Sequence, residues 1–390
     1  MKKKSYCLGC DSSGFKEIIF IKRFPAFFGA VPTLNHLKKI PFHPLSVSEC
    51  QNCGLVQQVN LINESIMNEV YTADYYNIPS PIVTGMGKEV VEDFYKFILK
   101  HNKKKGKILE IASLDGYLLL LLDKIGYDVF GCDPGSLSSN AAKNIGSNKI
   151  KKTFFNSSTY PKKSFDFIVF RNLLEHIYNP KVFLLSIYKT LKDDGKIFIQ
   201  VPDIRYFENY GGFGSFFHQH IFYFSIKTLS NLLNDNKFKI EQYRIYEGKI
   251  FVMASKYNNR NKNHNLYFGR KFNKNKMTSE NAKLRKKIIE TFKKKSNKKI
   301  ALFGASSVST SIAQVLDTSQ RKKISHVFDN DTDKHGLFCV GINKKILSPS
   351  NINLAKFDSI IITSYVSGKK IKKQLLSLKV EKNKIISLLS

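Results

Sequence analysis

Apolar runs separated by short polar turns are clearest in the middle of the chain. From Lys107, KILEIA is an apolar run with β-branched residues, SLDG is a turn, and YLLLLLDKIG is a helical pattern that ends at Gly126. The next segment, YDVFGCD, has the apolar residues of a second strand and closes on Asp133. This succession of strand, turn, helix and strand predicts an α/β unit.

The pattern continues through the centre of the sequence. KSFDFIVF predicts another strand, a helix follows it, and LKDDGKIFIQVP predicts a turn that leads into a further strand. FHQHIFYF then predicts a loop, and SIKTLSNLL predicts the helix behind it. LLEHI, between strand and helix, is interpreted as the start of a helix and not as a catalytic segment.

A second, smaller α/β unit is predicted in the last third of the chain. NNRNKNHN predicts a loop, and NAKLRKKIIETFKKKSNKK predicts an amphipathic helix with Leu284, Ile288, Ile289 and Phe292 facing inward. The segments KIALFGASSVSTSIAQVL, KISHVFDND and FDSIIITSYVSG then supply a strand, a glycine turn with a helix, and two more strands. Its lysines are interpreted as a solvated face.

The composition is typical of a folded, multidomain protein. The chain has 390 residues, of which 42% are hydrophobic and 13% aromatic, so two or three folded domains are expected. No apolar stretch reaches the length of a membrane span, and the basic start MKKKSYCLGC has no apolar run behind it. We therefore expect a cytoplasmic protein.

Net charge suggests polyanionic ligands but does not select one. Lysine and arginine number 63 against 31 acidic residues, which gives +32. The lysines are spread over the whole length and form no single stripe, as a lysine-rich genome would produce. This distribution argues against nucleic acid as the partner.

Four of the six cysteines form two CxxC pairs, CLGC and CQNC. Disulfides are disfavoured in a cytoplasmic protein, and two such knuckles supply the tetrahedral sulfur set that zinc prefers. A redox pair is the alternative, but neither CxxC stands at a helix start after a strand. Cys7, Cys10, Cys50 and Cys53 are therefore the expected ligands of a structural zinc ion, and Cys132 and Cys339 are expected to be buried.

The central unit has the marks of a nucleoside pocket without those of a dinucleotide pocket. Asp133 closes the second strand, where an acid can accept hydrogen bonds from ribose hydroxyls. The GxGxxG fingerprint is missing, and only Gly116 remains in the first turn. Since phosphates need the glycine loop for close approach, NAD is disfavoured.

The series LEIASLDGYLL, GCDP, FDFIVFRNLLEHIYNP and LKDDGKIFIQVP resembles class I S-adenosylmethionine-dependent methyltransferases. Within that class it resembles the nucleotide-sugar branch, which includes C-methyltransferases of 4-keto-6-deoxy sugars. Those enzymes carry a four-cysteine zinc domain before the core and a smaller α/β domain behind it. The resemblance implies an α/β fold with a Rossmann-like core, and it spans nearly the whole chain.

The resemblance also implies which residues bind the cofactor S-adenosylmethionine. Asp133 would hold the ribose, and Asn172 would line the methionine end. The residues expected around the methionine part are Glu110, Ala112, Ser113, Asp115 and Gly116.

The branch's substrate motif is altered in this chain. Tyr-His-Glu-His reads here Phe217, His218, Gln219, His220, and a further family acid is Gln200. Methylation beside a ketone needs a base and a group that stabilises the enolate, whereas methylation of a hydroxyl needs one base. His220 is the preferred base and Gln219 can position substrate, so transfer to carbon and to oxygen stay balanced.

A tyrosine-rich segment, EVYTADYYNIPSP, precedes the core and loosely matches one that reaches over the substrate in the family. Tyr71, Tyr75 and Tyr76 are the candidates to position substrate, with packing against the core as the equal alternative. The C-terminal unit, with its GAS turn at 304–306, would close over the sugar nucleotide.

The sequence therefore predicts three parts: a zinc-binding domain (1–63), a methyltransferase domain (64–257), and a linker helix with a C-terminal α/β domain (258–390). The expected reaction is methyl transfer from S-adenosylmethionine to carbon or oxygen of a nucleotide-activated sugar, for a surface glycan such as capsule or O-antigen. The alternatives are a non-catalytic relative, which would bind without transfer, and an RNA methyltransferase, whose activity ribonuclease would abolish. The oligomeric state is left open.

Overall fold

A computed structural model describes residues 2–3, 6–72, 85–257, 272–294, 298–365 and 367–388. Within them lie three main sheets, of four, seven and five strands. None of the helices described combines the length and the apolar composition that crossing a membrane would require.

The N-terminal part is built on an antiparallel sheet. Its order, β12-β5-β4-β2, includes a strand from far along the chain. The element bounds are β1 Lys2–Lys3, β2 Phe15–Pro25, β3 Ala30–Val31, α1 Leu34–Lys39, β4 Phe42–Cys50, β5 Val56–Gln58, β6 Asn60–Leu61 and α2 Glu64–Thr72.

The central part is a seven-stranded sheet with helices on both faces. Its strands are β7 Lys107–Ile111, β8 Asp128–Cys132, β9 Ile150–Lys151, β10 Phe165–Arg171, β11 Leu191–Pro202, β13 Phe238–Tyr246 and β14 Lys249–Lys256. Strand β12 (Phe222–Tyr223) lies in the same stretch of the chain but belongs to the N-terminal sheet. Its helix bounds are α3 Gly85–His101, α4 Tyr117–Asp123, α5 Ser138–Ile145, α6 Pro180–Thr190, α7 Ile204–Phe207 and α8 Ile226–Asp235.

Strand order in this sheet is β13-β14-β11-β10-β7-β8-β9. The strands from β9 to β11 pair in parallel, and the β13–β14 hairpin closes one edge in antiparallel fashion. The chain runs outward from β7 to β9 and then returns to β10 on the other side of β7. The carboxyl ends of β7 and β10 therefore flank a topological switch point, where open α/β sheets bind their ligands.

The C-terminal part is a parallel sheet of order β18-β16-β15-β19-β20. The bounds are α9 Lys274–Lys293, β15 Ile300–Phe303, α10 Ser307–Val315, α11 Thr318–Lys322, β16 Ile324–Phe328, β17 Phe338–Cys339, β18 Ile346–Leu347, β19 Ser359–Ile362, α12 Gly368–Ser377 and β20 Ile385–Ser387. Helix α9 buries Leu284, Ile288 and Phe292 and half-buries Ile289, as its period predicts.

Apolar packing joins the three parts. One cluster runs from Cys50 and Leu55 of the N-terminal part to Leu184 of α6 and Leu229 of α8. A second joins Val47 of β4, Phe213 of the loop before β12, and Phe292 of α9. The loop at residues 208–221 is therefore packed between the N-terminal and C-terminal parts.

The predicted fold class, an α/β protein with a parallel Rossmann-like core, is confirmed. Three local predictions differ from the structure. Strand β11 already begins at Leu191, so the expected turn LKDDG belongs to the strand; α4 ends at Asp123 instead of Gly126. LLEHI does not start a helix: Leu174–His176 form a separate 3-10 turn, and α6 begins at Pro180 behind its N-cap Asn179, whose side chain accepts a hydrogen bond from the backbone of Val182.

Candidate active site

The four cysteines of the two CxxC pairs converge on one point. The Sγ atoms of Cys7 and Cys53 are 3.7 Å apart, those of Cys10 and Cys50 are 3.6 Å apart, and all four lie within 4.8 Å of one another. Tetrahedral zinc with bonds of about 2.3 Å requires sulfur atoms roughly 3.8 Å apart. The donor set therefore fits zinc in both chemistry and spacing.

The two knuckles share one backbone design. After each second cysteine, a residue with positive φ donates its N–H to the carbonyl of the first cysteine: Asp11 (φ 62°) to Cys7 and Gly54 (φ 75°) to Cys50. The Ser12 hydroxyl lies 3.2 Å from the Cys10 sulfur and 3.1 Å from the Cys50 sulfur. Such a hydroxyl can donate to thiolates and so support ligands around a metal.

The first turn of the central sheet has left-handed backbone at three positions, of which only one is a glycine. Ala112, Leu114 and Gly116 have φ values of 59°, 48° and 79°, at alternate positions of one loop. Left-handed backbone at non-glycine residues is strained, and such strain is concentrated at functional sites. The Ser113 hydroxyl between them is buried and has no hydrogen-bond partner among the described residues. Asp115 is also buried, and its Oδ1 accepts from the N–H of Tyr117 at the start of α4.

Asp133 stands directly after β8, beside that turn. Its two carboxylate oxygens accept N–H groups from Leu114 at 3.0 Å and from Gly135 at 2.7 Å. A carboxylate has about four lone-pair sites, so two remain for ribose hydroxyls. Burial raises the pKa of Asp133, while the two backbone N–H groups oppose that rise.

Glu110 is fully buried within β7 and faces Arg171 at the end of β10. The Nε atom of Arg171 lies 3.4 Å from a Glu110 oxygen. Burial raises the pKa of Glu110 to about 8, although the guanidinium opposes the rise. The sequence placed Glu110 beside the methionine part but did not single out Arg171, whose only signal was a cation closing an apolar strand.

Asn172 follows Arg171 and also has left-handed backbone, with φ of 46°. Its side-chain oxygen accepts from Nε2 of Gln200 at 3.2 Å, and its N–H donates to the Gln200 carbonyl at 2.9 Å. Gln200 is therefore a buried support for Asn172 at the carboxyl edge of the sheet.

A cluster of polar side chains forms where the loop that continues from Asn172 meets His220 of the loop before β12. One donor atom each of Glu175, His176 and His220 lies within 4.8 Å of the others, and the two imidazole rings meet edge to face at 4.7 Å. The Tyr71 hydroxyl lies 2.9 Å from Nδ1 of His176. Two sequence candidates, Tyr71 and His220, are thus brought together through His176, which sequence reasoning set aside.

Helix α2 brings this cluster close to Asp133 and Gly135 at the carboxyl end of β8, which we call the nucleoside edge. A Cβ atom at Gly135, two residues beyond Asp133, would lie 3.6 Å from the Tyr71 carbonyl oxygen. Tyr75 and Tyr76 lie outside the described residues.

The side chains of the altered motif at residues 217–220 point to two different parts of the structure. Phe217 packs its ring on the imidazole of His220, with centroids 4.2 Å apart. His218 instead enters the N-terminal part, where its Nε2 lies 3.4 Å from the His43 carbonyl. Gln219 is buried at 2% exposure, and its backbone lies against His176. The last histidine therefore lies with the cluster, and the first serves packing.

Burial keeps the clustered histidines neutral. It lowers the pKa of His176 to about 4, and it holds the pKa of His220 well below its ordinary value, with His176 adding to the effect. It also raises the pKa of Glu175 to about 8, because the carboxyl is buried with no hydrogen-bond partner for either oxygen among the described residues. A neutral imidazole next to a carboxyl can accept a proton from a bound hydroxyl or an acidic C–H.

Residues 86–243 match a family model described as a methyltransferase domain, and residues 296–386 match one described as "C2185-like, N-terminal". Among proteins of curated function, none matches the sequence.

Similar solved structures include three from different organisms. The Burkholderia thailandensis 1,6-didemethyltoxoflavin-N1-methyltransferase with S-adenosylhomocysteine is 14% identical over 55% of this chain and 96% of its own, with a TM-score of 0.41. The Synechocystis magnesium protoporphyrin IX methyltransferase with the same product is 12% identical over 50% and 100%, with a TM-score of 0.40. A Pyrococcus horikoshii protein is 17% identical over 50% and 100%, with a TM-score of 0.39.

Proposed function

We propose, from the premise that this chain is an S-adenosylmethionine-dependent methyltransferase with its methyltransferase domain in residues 86–243, that the methyl acceptor is carbon or oxygen of a nucleotide-activated sugar. One observation carries the proposal: the nucleoside edge at Asp133 and the Tyr71–His176–His220 cluster adjoin at the carboxyl side of one sheet. Donor and acceptor can therefore meet there.

On the donor side, Asp133 would use its remaining lone pairs for the ribose, and the turn from Ala112 to Gly116 would hold the methionine part. Asn172, held by Gln200, would line the end where the methyl group leaves. The cofactor supplies an electrophilic sulfonium methyl group. The buried Ser113 hydroxyl and the Glu110–Arg171 pair give this edge the polar groups that the methionine end requires.

On the acceptor side, His220 would take the proton from the attacking atom. Its depressed pKa leaves His220 neutral at neutral pH, which is the form that a general base requires, although the same shift makes the imidazole a weaker base than an exposed histidine. Tyr71 orients His176 behind it, and Gln219 would donate a hydrogen bond to a substrate oxygen. Gln219 and Phe217 cannot transfer a proton, so the transfer falls to the imidazole.

Support for a sugar nucleotide comes from organisation and charge. A four-cysteine site before the core and an α/β unit behind it are the parts of the nucleotide-sugar branch that this chain resembles. The net charge of +32 suits a diphosphate-linked substrate, as it suits other polyanions, and so adds to the proposal without selecting it. Four zinc-binding thiols need reducing conditions, which supports a reaction in the cytoplasm, where precursors of a surface glycan would be methylated.

Mass spectrometry of a nucleotide-sugar extract tests the proposal. The extract is incubated with the enzyme and trideuteromethyl-labelled S-adenosylmethionine, and fragmentation then places the label on carbon or oxygen. A labelled sugar nucleotide that is absent with His220→Ala is the expected result. Label in RNA or protein alone, or cofactor binding without transfer to any sugar nucleotide, contradicts it.

A further inference from the structure

The second cysteine knuckle continues directly into the strand that holds the loop of His220. Three residues separate Cys53 from Gln57, and β5 pairs in antiparallel fashion with β12, placing Gln57 opposite Phe222 and Val56 opposite Tyr223. The N–H of Gln58 donates to the Ile221 carbonyl at 2.8 Å. The N-terminal sheet therefore extends into the methyltransferase part at the end of the loop at 217–221.

The Gln58 side chain holds that loop from within. Its Nε2 atom lies 3.0 Å from the carbonyl oxygens of Phe217 and His218, and it also bonds the carbonyl of His220. Two amide hydrogens are thus shared among three carbonyls of the turn that carries His220. Gln58 is fully buried, so water cannot replace these bonds.

The side chain of the neighbouring Gln57 forms a hydrogen bond with the first cysteine knuckle, at residues 7–10. Its Oε1 accepts the N–H of Leu8 at 2.9 Å, and Leu8 lies between Cys7 and Cys10. The two adjacent glutamines therefore point to opposite sides of β5, as strand geometry requires. One contacts the cysteine site and the other the loop.

We propose that Gln57 and Gln58 couple the four-cysteine site to the loop of His220, and that Gln58 is a positioning residue for methyl transfer. The four sulfurs, when they hold zinc, would fix both knuckles; Gln57 and the chain from Cys53 would fix β5; and Gln58 would then set the backbone at 217–220. The proposal rests on the proposed role of His220. It assigns the zinc site a second task beyond stabilising the N-terminal part, namely setting the geometry of the acceptor side.

Gln58→Met tests the positioning role, because methionine has a similar length but no donor. Amides 217–221 are expected to exchange hydrogen for deuterium at least about 10-fold faster, while amides of β7 and β8 and binding of S-adenosylhomocysteine stay unchanged. The kcat is expected to fall about 10- to 100-fold, since displacement of a catalytic group by about 1 Å has such effects. Gln242→Met, at an exposed position of β13, is the matched control.

Zinc removal from the unaltered enzyme tests the coupling without relying on any variant to fold. A chelator is added while zinc content, cofactor binding and amide exchange are followed together. Faster exchange at 217–221 in step with zinc loss, at unchanged cofactor binding, is expected. Protection of 217–221 that persists after zinc has left overturns the coupling, and unchanged exchange in Gln58→Met overturns the positioning role.

Neither exchange measurement uses an acceptor substrate, so the inference and the proposed function can fail separately. If exchange responds but no sugar nucleotide is methylated, the coupling stands and the substrate assignment is wrong. If sugar nucleotides are methylated and exchange does not respond, the reverse holds.

Discussion

The hydroxyl of Tyr71 lies 2.9 Å from Nδ1 of His176, and the two rings meet edge to face. This contact joins helix α2 to a loop 105 residues further along the chain. It occupies one nitrogen of His176 and leaves the other side of the ring toward His220. The orientation of the imidazole pair thus depends on a residue outside the matched methyltransferase domain.

Tyr71→Phe is expected to lower kcat roughly 5- to 10-fold, because a hydrogen bond is worth about 1 kcal/mol and the phenyl ring keeps its packing. Cofactor affinity should be unchanged. Release of S-adenosylhomocysteine measures the rate. Tyr127→Phe removes a bond of equal length from Nδ2 of Asn102, in an apolar cluster that contains neither Tyr71 nor the two histidines, and equal losses in the two variants would contradict a positioning role for Tyr71.

Asp133→Asn is expected to weaken binding of S-adenosylhomocysteine about 10- to 100-fold, since hydrogen bonds to a charged group contribute about 1.5–3 kcal/mol. Titration calorimetry measures it. Asp329→Asn is the control: this aspartate also follows a strand and accepts the N–H of Ala305 at 2.8 Å, but in the C-terminal sheet. A weakened Asp329 variant beside a normal Asp133 variant would place the cofactor in the other sheet.

Cys50→Ser is expected to lower zinc content from about one ion per chain toward zero and to reduce thermal stability, because a tetrahedral site needs all four ligands. Elemental analysis and calorimetry measure the two effects. Cys339→Ala, which removes a buried cysteine outside the cluster, should keep its zinc. Full zinc retention in Cys50→Ser would refute the ligand assignment.

Glu175→Gln is expected to flatten the dependence of stability on pH between about pH 4.5 and 8. Since burial raises the pKa of Glu175 to about 8, the folded state binds the proton more tightly than the unfolded state. Its contribution is present below pH 4.5 and is lost as pH rises through 8, by up to about 1.4 kcal/mol per pH unit.

Buried histidines act in the opposite direction and in another window. The pKa values of His176 and His218 fall to about 4, so their contribution is lost as pH falls from 6.5 toward 4. Urea unfolding between pH 6.5 and 8 therefore avoids the histidines, and the contribution of Glu110, whose pKa is also raised to about 8, is common to both proteins and cancels in their comparison. Parallel curves for the unaltered enzyme and Glu175→Gln, with exposed Glu290→Gln as reference, would contradict the raised pKa.

The central strands and the cysteine pairs were accessible from sequence because both depend on local patterns. Apolar runs fix β7, β8 and β10, and the spacing within CLGC and CQNC fixes each knuckle. The first knuckle shows the limit of such patterns: Asp11, not a glycine, takes the left-handed position that Gly54 takes in the second.

The catalytic side was less accessible because its contacts are distant in sequence. Nothing local marks Tyr71 as the partner of His176, or Gln58 as the support of a turn about 160 residues away. The left-handed backbone of the first turn was also not predictable from sequence, because Ala112 and Leu114 adopt it although neither is glycine. The proposed boundaries 1–63, 64–257 and 258–390 stay a prediction.

Later strands of the chain pair with strands of the N-terminal part, and this pairing limits how the gene can be recombined. Strand β12 completes the N-terminal sheet, and β17 pairs with β3 of the same part, so two later segments fold onto the first sixty residues or so. A chimera of two relatives joined at residue 63 would take β3 and β5 from one parent and their partner strands β17 and β12 from the other. Productive shuffling among relatives would have to transfer residues 217–224 and 336–346 together with the N-terminal part, which makes these three segments a single unit of inheritance.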